Sequence, residues 1–556
     1  MRVVIIGGVA GGMSAATRLR RLDETAEIIV LERSGHVSYA NCGLPYYVGG
    51  VIAEEDKLYL QTPESLHKRF RLDVRVHHEV TEIESNKKVV IARDLISGGE
   101  AEISYDKLIL SPGASPVVPP IPGIERSLTL RTVEDVLRIY DAVETKPSSA
   151  VVIGGGFIGV EMAENLVHKG IKTSLIEALP QVLGPLDPEM AELVHKEMRK
   201  HGVDLHLANS VKEITDSHVI LADGKKVEAE VVIAAIGVKP DTHLAKIAGV
   251  EIGNKGGIAV NQFNQTSNPD IYAIGDAAEK SDELSGESTL IPLANLANRH
   301  GRITSDHIAG KKVREVAAIG TAIVKVFDLA VATTGWSAKR LTAAGRAYKE
   351  IHTHPNSHAT YYPGAVQFSM KLIFDPNSGE ILGAQGVGRD GVDKRIDVIA
   401  TAMRGGITAP ELADLELAYA PPFGSAKDAV NMLDYVAENV LNGITEIAQW
   451  SDLDKYKAEG YSFVDVRSAS EFSNGTIPGS MNIPVDELRE RHSEIGNKKV
   501  IVNCQVGQRG HVATMLLRSL GYNAKNLDGV LYNTLYSSCY LRHLIGHYQS
   551  ALNGLD

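Results

Sequence analysis

Cysteine is scarce in this chain, which has only three among its 556 residues: Cys42, Cys504 and Cys539. Three cysteines so far apart cannot build a disulfide framework, and Cys42 has no nearby cysteine with which to form a local disulfide or a metal site. No metal centre is therefore predicted. Cys42 is either an inert buried thiol or a reactive one whose partner comes from outside the local sequence.

Long apolar runs and positive charge are also in short supply. The longest apolar stretches, such as EVVIAAIGV near residue 230, are far shorter than the roughly 20 residues of a membrane helix. The 57 Lys and Arg residues are outnumbered by 69 Asp and Glu, giving a net charge of −12. This balance argues against binding to nucleic acid or anionic membranes, because both need a basic surface.

The amino terminus, MRVVIIGGVAGG, has an apolar run that glycines interrupt at once. Such a run is typical of a buried strand and not of a signal peptide. We therefore expect a soluble, cytoplasmic protein in a reducing compartment. A chain of this length is too long for one hydrophobic core and predicts about three to five domains.

The opening run RVVIIGGVAGGMSAATRLRRL predicts a buried strand, a glycine turn and an amphipathic helix, and the next strand ends in Glu32. About twenty residues separate Gly12 from Glu32, as in a Rossmann unit. Gly7 permits the tight turn, and Gly12 lets the helix approach the strand. The helix amino terminus then faces a pyrophosphate, and Glu32 accepts ribose hydroxyls. Val9 replaces the middle glycine of this fingerprint.

The same pattern returns in SAVVIGGGFIGVEMAENLVHKGIKTSLIEAL, here with the complete spacing Gly154, Gly156 and Gly159. Glu177 closes the strand that follows. Two fingerprints predict a flavoprotein that accepts hydride from a nicotinamide. A carboxylate at Glu177 bonds the 2′-hydroxyl of NADH and repels the 2′-phosphate of NADPH, so the sequence favours NADH.

Three further segments assign the two nucleotide sites. YDKLILSPGASP (105–116) and EVVIAAIGVKPD (230–241) are buried strands broken by glycine turns, as expected of crossovers between two dinucleotide domains. NPDIYAIGDAAE (268–279) places Asp276 beside Gly275 at the end of a strand. A helix that starts with small residues is expected to follow. The segment resembles the FAD-closing motif of the pyridine nucleotide-disulfide oxidoreductases. The resemblance implies FAD in the first unit and the nicotinamide in the second.

The stretch SYANCGLPYY (38–47) bears on Cys42. Family members with two cysteines at the flavin would place the second at position 47, where this chain has Tyr47. The stretch resembles the single-cysteine branch, which includes coenzyme A disulfide reductases, NADH peroxidases and NADH oxidases, and it is most similar to the first of these. Peroxidases and oxidases have a histidine in the first glycine turn, where this chain has Ala10. The resemblance implies that Cys42 is the redox thiol and borrows its disulfide partner from a substrate.

The same resemblance implies that two tyrosines from the partner subunit of a homodimer stabilise the thiolate or protonate a leaving thiol. Tyr361 in SHATYYPGA and Tyr419 in ELAYAPPFGSAKD are the candidates, with Tyr362 as the alternative. Aromatic packing at a subunit interface is the simpler interpretation. Together with the flavin and a helix dipole, the tyrosine hydroxyls are expected to depress the pKa of Cys42.

A coenzyme A ligand would need cations for its phosphates. By resemblance, Arg18 and Arg21 line a coenzyme A channel, with Ser38 and Asn41 nearer the sulfur. Lys68 and Arg69 in HKRFRL offer further positive charge. The alternative is that these side chains form an ordinary solvated helix face.

Near the carboxyl terminus, a buried strand KVIVN runs into Cys504, and the loop CQVGQRG opens into an amphipathic helix. Converging loop amides and the helix dipole predict that Cys504 is an unusually acidic thiol. Arg509 can add charge or bind an anionic sulfur donor. With FVDVRSASEFSNGTIPGSMNIP (463–484), the segment resembles a rhodanese domain. Cysteine phosphatases share the loop spacing, and inactive rhodanese modules are a further alternative.

The predicted fold is α/β, with two Rossmann-like domains, an α+β dimerisation domain and a carboxyl-terminal rhodanese-like α/β domain. The predicted ranges are 1–147 and 259–325 for FAD, 148–258 for NADH, 326–442 for dimerisation and 443–556 for the rhodanese-like domain. Cys539 is interpreted as a free buried thiol.

The order of motifs resembles fusions of coenzyme A disulfide reductase with rhodanese, also described as NADH-dependent persulfide or polysulfide reductases. The resemblance implies that NADH, FAD and Cys42 reduce S–S bonds of persulfide, polysulfide or coenzyme A disulfide, with coenzyme A as substrate or bound carrier. Cys504 then handles sulfane sulfur. The alternatives are a sulfurtransferase whose flavin half resets the sulfur carrier, a redox sensor with a protein partner, and a flavoprotein similar to NADH oxidases or peroxidases.

Overall fold

The structure is a computed structural model that describes residues 1–314 and 316–529. These residues form two compact units, the first comprising Met1–Gly184 and Glu197–Ala322 and the second Pro185–Lys196 and the described residues from Ile323 onward. No helix in the described ranges has both the length and the apolar character needed to cross a bilayer. The prediction for Cys539 lies outside the described residues.

The elements of the first unit follow in chain order. The strands are β1 (Arg2–Ile6), β2 (Glu27–Leu31), β3 (Asp73–Arg75), β4 (His78–Glu84), β5 (Val89–Asp94), β6 (Glu100–Ser104), β7 (Lys107–Leu110), β8 (Ala114–Pro116), β9 (Leu128–Thr129), β10 (Ser149–Ile153), β11 (Lys172–Ile176), β12 (Asp204–His206), β13 (Val211–Ile214), β14 (His218–Leu221), β15 (Lys226–Glu228), β16 (Val231–Ala234), β17 (Val238–Pro240), β18 (Ile271–Ala273), β19 (Lys280–Ser281) and β20 (Ser288–Thr289). The helices are α1 (Ala10–Leu22), α2 (Leu44–Val48), α3 (Pro63–Phe70), α4 (Val133–Glu144), α5 (Phe157–His168), α6 (Pro188–Lys200, shared with the second unit), α7 (His243–Ile247) and α8 (Ala294–Ile308).

Two parallel five-stranded sheets form the centre of the first unit. Their strand orders are β18-β7-β1-β2-β3 and β12-β11-β10-β16-β9. In β1, Val3 and Ile5 pack with α1 on one face, while Val4 and Ile6 pack with β4 and β5 on the other. Both faces are covered, which explains why the strand is a continuous apolar run. The prediction of two Rossmann-like domains is confirmed.

The two glycine-broken segments of the sequence meet in the structure. After Gly113 and Gly237, both with positive φ, the chain forms β8 and β17, which pair in antiparallel fashion. Val238 lies opposite Pro116 in this short ladder. The pairing joins the connections that lead from one parallel sheet to the other, as the crossover prediction requires.

The second unit contains the remaining elements. Its strands are β21 (Ala322–Val326), β22 (Leu329–Gly335), β23 (Lys349–Thr353), β24 (Phe368–Phe374), β25 (Ile381–Gly388), β26 (Ile447–Ala448), β27 (Ser462–Asp465), β28 (Met481–Asn482), β29 (Lys499–Asn503) and β30 (Asn523–Leu527). Its helices are α9 (Ala338–Ala343), α10 (Val392–Gly405), α11 (Ala429–Leu441), α12 (Leu453–Ala458), α13 (Ala469–Ser473), α14 (Leu488–Arg491) and α15 (Gln508–Ser519).

These elements build two different sheets. Strands β21-β22-β25-β24-β23 form a largely antiparallel sheet whose apolar side chains pack against α10 and α11. Strands β26-β30-β29-β27-β28 form a parallel sheet, with Val500 and Val502 facing α15 and Ile501 facing the opposite core. The α+β domain and the carboxyl-terminal α/β domain are therefore confirmed.

Two local expectations differ from the structure. Asp276 is followed by no α-helix; it lies in a three-residue 3₁₀ turn, Gly275–Ala277, and α8 begins only at Ala294. Small residues permit a helix, but here the chain passes directly into β19. In the Cys504 loop, α15 begins already at Gln508, so Arg509 belongs to the first helical turn and not to the loop.

A buried charge cluster stabilises the second unit. Lys371, only 1% exposed, lies within 3.0 Å of carboxylate oxygens of Asp187, Glu189 and Glu350. His352 pairs with Glu189 at 3.2 Å and with Asp528 at 2.8 Å. Burial alone lowers the pKa of His352, but the two carboxylates outweigh it and raise the pKa to about 10. The cluster thus joins β23 and β24 to the end of β30.

Replacing Lys371 with methionine is expected to destabilise the protein by about 3–5 kcal/mol, because it leaves buried carboxylates without their counter-charge. Denaturant unfolding followed by circular dichroism measures this change. The control is Lys57→Met, which removes an exposed ion pair with Glu54 and should change stability by less than about 1 kcal/mol. Equal stability of the two variants would contradict the importance of the cluster.

Candidate active sites at Cys42 and Cys504

The first glycine turn leaves no room for side chains. A Cβ on Gly7 would lie 2.1 Å from the Ser111 carbonyl oxygen, and one on Gly12 would lie 1.9 Å from the Gly7 oxygen. Gly7 also has a φ of +100°. The turn leads into the amino terminus of α1, with Val9 as the N-cap residue. Close packing therefore explains both predicted glycines.

The second turn repeats this geometry. A Cβ on Gly154 would lie 2.3 Å from the Ala235 oxygen, and one on Gly159 would lie 1.9 Å from the Gly154 oxygen. Gly156, the N-cap residue of α5, differs: a Cβ there would meet no protein atom within 4 Å. Protein packing does not require glycine at this position, whereas close approach of a pyrophosphate to the helix amino terminus does. The turn fits a dinucleotide.

The two predicted acidic residues, Glu32 and Glu177, make the same kind of hydrogen bond to the backbone of their glycine turns. Glu32 accepts hydrogen bonds from the backbone N–H of Gly8 (2.8 Å) and Ser34 (2.9 Å). Glu177 accepts them from Gly155 (2.6 Å) and Leu179 (2.7 Å). A carboxylate has about four acceptor positions, so each retains capacity for ribose hydroxyls.

Asp276 is a partly desolvated carboxyl group. Burial raises its pKa, and the positive charges of Lys280 and Arg131 oppose the rise. The Lys280 ammonium is held by the carbonyl oxygens of Gly275 (2.8 Å) and Ala278 (2.9 Å). A carboxyl group in this setting suits a hydroxyl-rich ligand such as a ribityl chain.

Cys42 lies in a 3₁₀ turn, Asn41–Gly43, directly before α2. Its side chain is exposed, yet protein atoms on one side still desolvate the thiolate. This desolvation raises the pKa of Cys42, and the negative charges of Glu161 and Asp276 raise it further. The structure therefore brings Cys42 near the predicted flavin carboxylate. Among the described residues, the groups that act on Cys42 raise its pKa, in contrast to the predicted depression.

Tyr47 occupies the position where a second cysteine would stand in the two-cysteine relatives. Its side chain is buried and stacks on Tyr140 with ring centroids 4.8 Å apart. The neighbouring Tyr46 instead donates a hydrogen bond to Glu161 across a distance of 3.2 Å. Sequence reasoning missed this pair, although Tyr46 lies within the NCGLPYY motif and Glu161 lies two residues after the third fingerprint glycine.

The predicted coenzyme A residues lie on two elements. Arg18 of α1 is half-buried and paired with Asp306 at 2.7 Å, while Arg21 is exposed in the last turn of α1. Ser38 has a φ of +48°, and its N–H donates to the Gly8 carbonyl oxygen at 2.8 Å. Asn41 is exposed beside Cys42. Ser38 thus lies against the first glycine turn, and Arg18 carries a carboxylate partner.

Tyr361 and Tyr419 are brought together, with their hydroxyl oxygens 2.7 Å apart. They lie on loops of the second unit and are 74% and 47% exposed. The hydrogen bond that Tyr361 shares with Tyr419 raises the pKa of Tyr361. Tyr362, the alternative candidate, instead contacts the ring of His358 edge-on. Phe423, four residues after Tyr419, is also exposed.

Cys504 follows β29 and is only 3% exposed. The Gly507 N–H donates to its sulfur at 3.1 Å, so one loop amide points at the sulfur as predicted. Arg509 makes a two-pronged ion pair with Glu471, at 2.8 and 2.7 Å. The pair lowers the pKa of Glu471 to about 2. Glu471 lies within the segment 463–484, and the sequence alone predicted no role for it.

A second buried pair supports the loops around Cys504. Arg467 donates to both carboxylate oxygens of Asp465 and to the Gly475 carbonyl oxygen. The Thr476 hydroxyl also donates to Asp465, at 2.7 Å. These contacts connect the end of β27 with the loop before β28. Since β27 and β29 are parallel, that loop is held at the sheet edge where Cys504 follows β29.

Residues 1–301 match the family described as pyridine nucleotide-disulphide oxidoreductase. The chain belongs to this family. Residues 321–430 match the dimerisation domain of these oxidoreductases, and residues 446–533 match the rhodanese-like domain. The predicted flavoprotein oxidoreductase using FAD and NADH is thereby confirmed, as is the rhodanese assignment.

Two curated relatives cover the oxidoreductase part. Coenzyme A disulfide reductase of Staphylococcus aureus is 34% identical over 441 residues, 79% of this chain and 100% of the relative. NADH oxidase of Methanocaldococcus jannaschii is 35% identical over 459 residues, 80% of this chain and 100% of the relative.

Two solved structures extend over the rhodanese-like domain as well. Reduced CoADR-RHD of Bacillus anthracis has a TM-score of 0.94 and 48% identity, covering 96% of this chain and 97% of its own. The NAD-dependent persulfide reductase of A. fulgidus has a TM-score of 0.91 and 37% identity, covering 96% and 100%. This oxidoreductase therefore shares its whole domain order with both proteins.

The position of Glu177 predicts how the oxidoreductase discriminates between nicotinamides. Glu177→Gln removes the negative charge that would oppose a 2′-phosphate, so kcat/KM for NADPH is expected to rise about tenfold relative to that for NADH. The measurement is steady-state turnover with each nucleotide. The matched control is Glu32→Gln in the other turn, which should lower flavin content without changing this ratio. An unchanged ratio in Glu177→Gln would contradict the assignment.

Proposed function

We propose that this oxidoreductase uses NADH to reduce the S–S bonds of persulfides, polysulfides or coenzyme A disulfide through FAD and the single thiol of Cys42. The observation that carries the proposal is the setting of Cys42. The thiol lies within electrostatic reach of Asp276, while Tyr47 fills the place of a second cysteine. A thiol without a cysteine partner needs a substrate sulfur to form a disulfide.

Reduction of a substrate disulfide at Cys42 proceeds in two steps. The Cys42 thiolate attacks a substrate disulfide, forms a mixed disulfide and releases one thiolate. Bound FAD supplies the two-electron relay from NADH. Cleavage of the mixed disulfide then takes two electrons, restores the Cys42 thiolate and releases the second substrate sulfur as a thiol. Overall, NADH, one proton and one disulfide yield NAD⁺ and two thiols.

Coenzyme A is the proposed carrier of the substrate sulfur, on the similarity to the staphylococcal relative. Arg18 and Arg21 of α1 would bind its phosphates, while Ser38 and Asn41 would lie nearer the thiol. Arg18 forms an ion pair with Asp306, so part of its positive charge is already neutralised by that carboxylate. Arg21, which is exposed, carries the larger part of the phosphate binding in this proposal.

The protein is further proposed to act as a homodimer, in which Tyr361 and Tyr419 of the partner subunit face Cys42. The support is the match to a dimerisation domain together with two exposed tyrosine hydroxyls that share one hydrogen bond. Such a pair can donate a proton to a leaving thiolate while the second hydroxyl stabilises the phenolate. Three cysteines and no described disulfide suit a reducing compartment such as the cytoplasm.

The rhodanese-like domain is proposed to bind sulfane sulfur as a persulfide on Cys504. The Gly507 N–H at 3.1 Å supports a negative charge on this sulfur. Arg509 is paired with Glu471, and this ion pair positions the guanidinium. In this proposal the positive charge of Arg509 lies at the entrance of the Cys504 site. Sulfur released from Cys504 would then be reduced at Cys42.

A second candidate is NADH oxidase activity, which the methanocaldococcal relative favours. Ala10 argues against it, because this chain offers no histidine in the first glycine turn for peroxide protons. The test is NADH oxidation measured anaerobically with coenzyme A disulfide, coenzyme A persulfide, polysulfide and elemental sulfur, and aerobically without them. The proposal expects sulfur-dependent turnover far above turnover with oxygen, and the reverse order would overturn it.

A further inference from the structure

Beside Cys42, the first unit holds a tyrosine–carboxyl pair that the reaction scheme above does not use. The Tyr46 hydroxyl lies 3.2 Å from Glu161 Oε1. Tyr46 comes from the short α2, four residues after Cys42, and Glu161 comes from α5 of the nicotinamide-binding half. The hydrogen bond therefore joins α5 to α2, the helix that begins two residues after Cys42.

Glu161 has no cationic partner in the part of the chain that the structure describes. The charged and titratable groups around it are Tyr46 on α2, Glu164 on its own helix, and Cys42 on the preceding turn. Burial raises the pKa of Glu161 to about 7, and Glu164 adds to this rise, while the Tyr46 hydrogen bond opposes it. Near neutral pH the carboxyl is therefore poised between its two forms.

Cys42 and Glu161 influence each other because both become negative on ionisation. An ionised Glu161 is, after desolvation, the largest contribution that raises the pKa of Cys42, and Asp276 contributes in the same direction. By reciprocity, a thiolate on Cys42 must favour the protonated form of Glu161. The site tolerates one negative charge more readily than two.

We propose that Glu161, held by Tyr46, is a positioning residue that stores a proton beside Cys42 and thereby controls ionisation of the thiol. When Cys42 becomes a thiolate, its charge favours uptake of a proton from water by Glu161, which becomes neutral. When Cys42 is bound in a mixed disulfide and carries no charge, Glu161 releases that proton. No electrons move in this step, and the proton passes only between the Glu161 carboxyl and water. The inference rests on the proposed role of Cys42 as the reactive thiol.

The test measures the ionisation of Cys42 directly, by the rate of its alkylation with iodoacetamide between pH 5 and pH 10. The flavin-loaded, reduced protein is used, and peptide mass spectrometry reports Cys42 separately from the other cysteines. Glu161→Gln is expected to shift the Cys42 alkylation profile about one pH unit lower and to remove an inflection near pH 7. A profile that coincides with the wild type would overturn the proposal.

Tyr46→Phe provides an independent arm that retains the carboxyl group. Loss of the hydrogen bond raises the pKa of Glu161, so the inflection is expected to move to higher pH while Cys42 alkylation in the neutral range becomes faster. A shift to lower pH, or none, would contradict the proposal even if Glu161→Gln failed to fold. The control is Glu64→Gln, an exposed carboxylate on α3, which should leave the profile unchanged.

Alkylation requires no sulfur substrate, so the result separates the two hypotheses. If Cys42 proves not to reduce S–S bonds while the alkylation profile still depends on Glu161, the proposed function fails and the proton-storing role stands. If sulfur-dependent turnover is lost in Cys42→Ser but Glu161→Gln leaves the alkylation profile unaltered, the proton-storing role fails alone.

Discussion

Cys42→Ser is expected to lower sulfur-dependent NADH oxidation by about a thousandfold or more. Serine preserves the size of the side chain but cannot form a mixed disulfide, so the S–S bond has no route to the electrons of the flavin. Cys42 lies in the 3₁₀ turn before α2 and is exposed, so the similarly sized serine is expected to leave the fold unchanged. Steady-state assays with coenzyme A disulfide and with polysulfide measure the loss.

The half-reaction identifies the step that fails. Reduction of the flavin by NADH, followed in a stopped-flow instrument, is expected to keep its wild-type rate in Cys42→Ser. Glu177 and the turn at Gly154, the proposed nicotinamide site, remain intact in the variant. Cys539→Ser serves as the matched cysteine control and should retain full turnover. Sulfur-dependent oxidation that survived in Cys42→Ser would show that another group accepts the electrons.

Cys504→Ser is expected to abolish transfer of sulfur from thiosulfate to cyanide in an assay without NADH. The sulfur accepts the Gly507 N–H at 3.1 Å, an arrangement that a serine hydroxyl can occupy without forming a persulfide. Reduction of coenzyme A disulfide should remain within about twofold of the wild type, because this substrate reaches Cys42 without Cys504. Polysulfide reduction should fall, to the extent that Cys504 delivers the sulfur.

The two cysteine variants act as controls for each other. Cys42→Ser should retain thiosulfate-to-cyanide transfer, since the rhodanese-like sheet and the Glu471–Arg509 pair are unaffected. If Cys504→Ser also abolished coenzyme A disulfide reduction, the proposed division of labour between two sites would be wrong. If Cys42→Ser lost sulfur transfer as well, the two sites would be obligatorily coupled.

Local chemistry explains which features were predictable. Strand β29, Lys499–Asn503, coincides with the predicted KVIVN, because a short apolar run bounded by a turn has few other ways to bury itself. The predicted glycine Gly12 is required by its contact with Gly7 inside one strand–turn–helix unit, and Gly7 is favoured by its own φ of +100°. Glu32 follows β2 directly, as the spacing predicted. In each case the cause and the effect lie within about thirty residues.

Two predictions of local structure were wrong, and in both segments the residues are compatible with more than one backbone conformation. The small residues after Asp276 are compatible with a helix or an extended chain, and pairing of β19 with β20 selected the extended form. The residues from Gln508 to Gly510 were assigned to a loop, yet α15 already begins at Gln508. Arg509 consequently projects from a helix, where it meets Glu471 on α13.

The sequence by itself determined the two nucleotide turns, the solitary thiol at Cys42 and the cysteine loop at Cys504, since strand periodicity and the positive φ that a turn glycine adopts are local properties of the chain. Only the tertiary structure decided the partners of ionisable side chains. Tyr46 meets Glu161, 115 positions away, and Lys371 meets Glu189, 182 positions away. The pattern of residues along the chain does not specify such pairs, because they depend on how helices and strands pack and on how much water that packing removes.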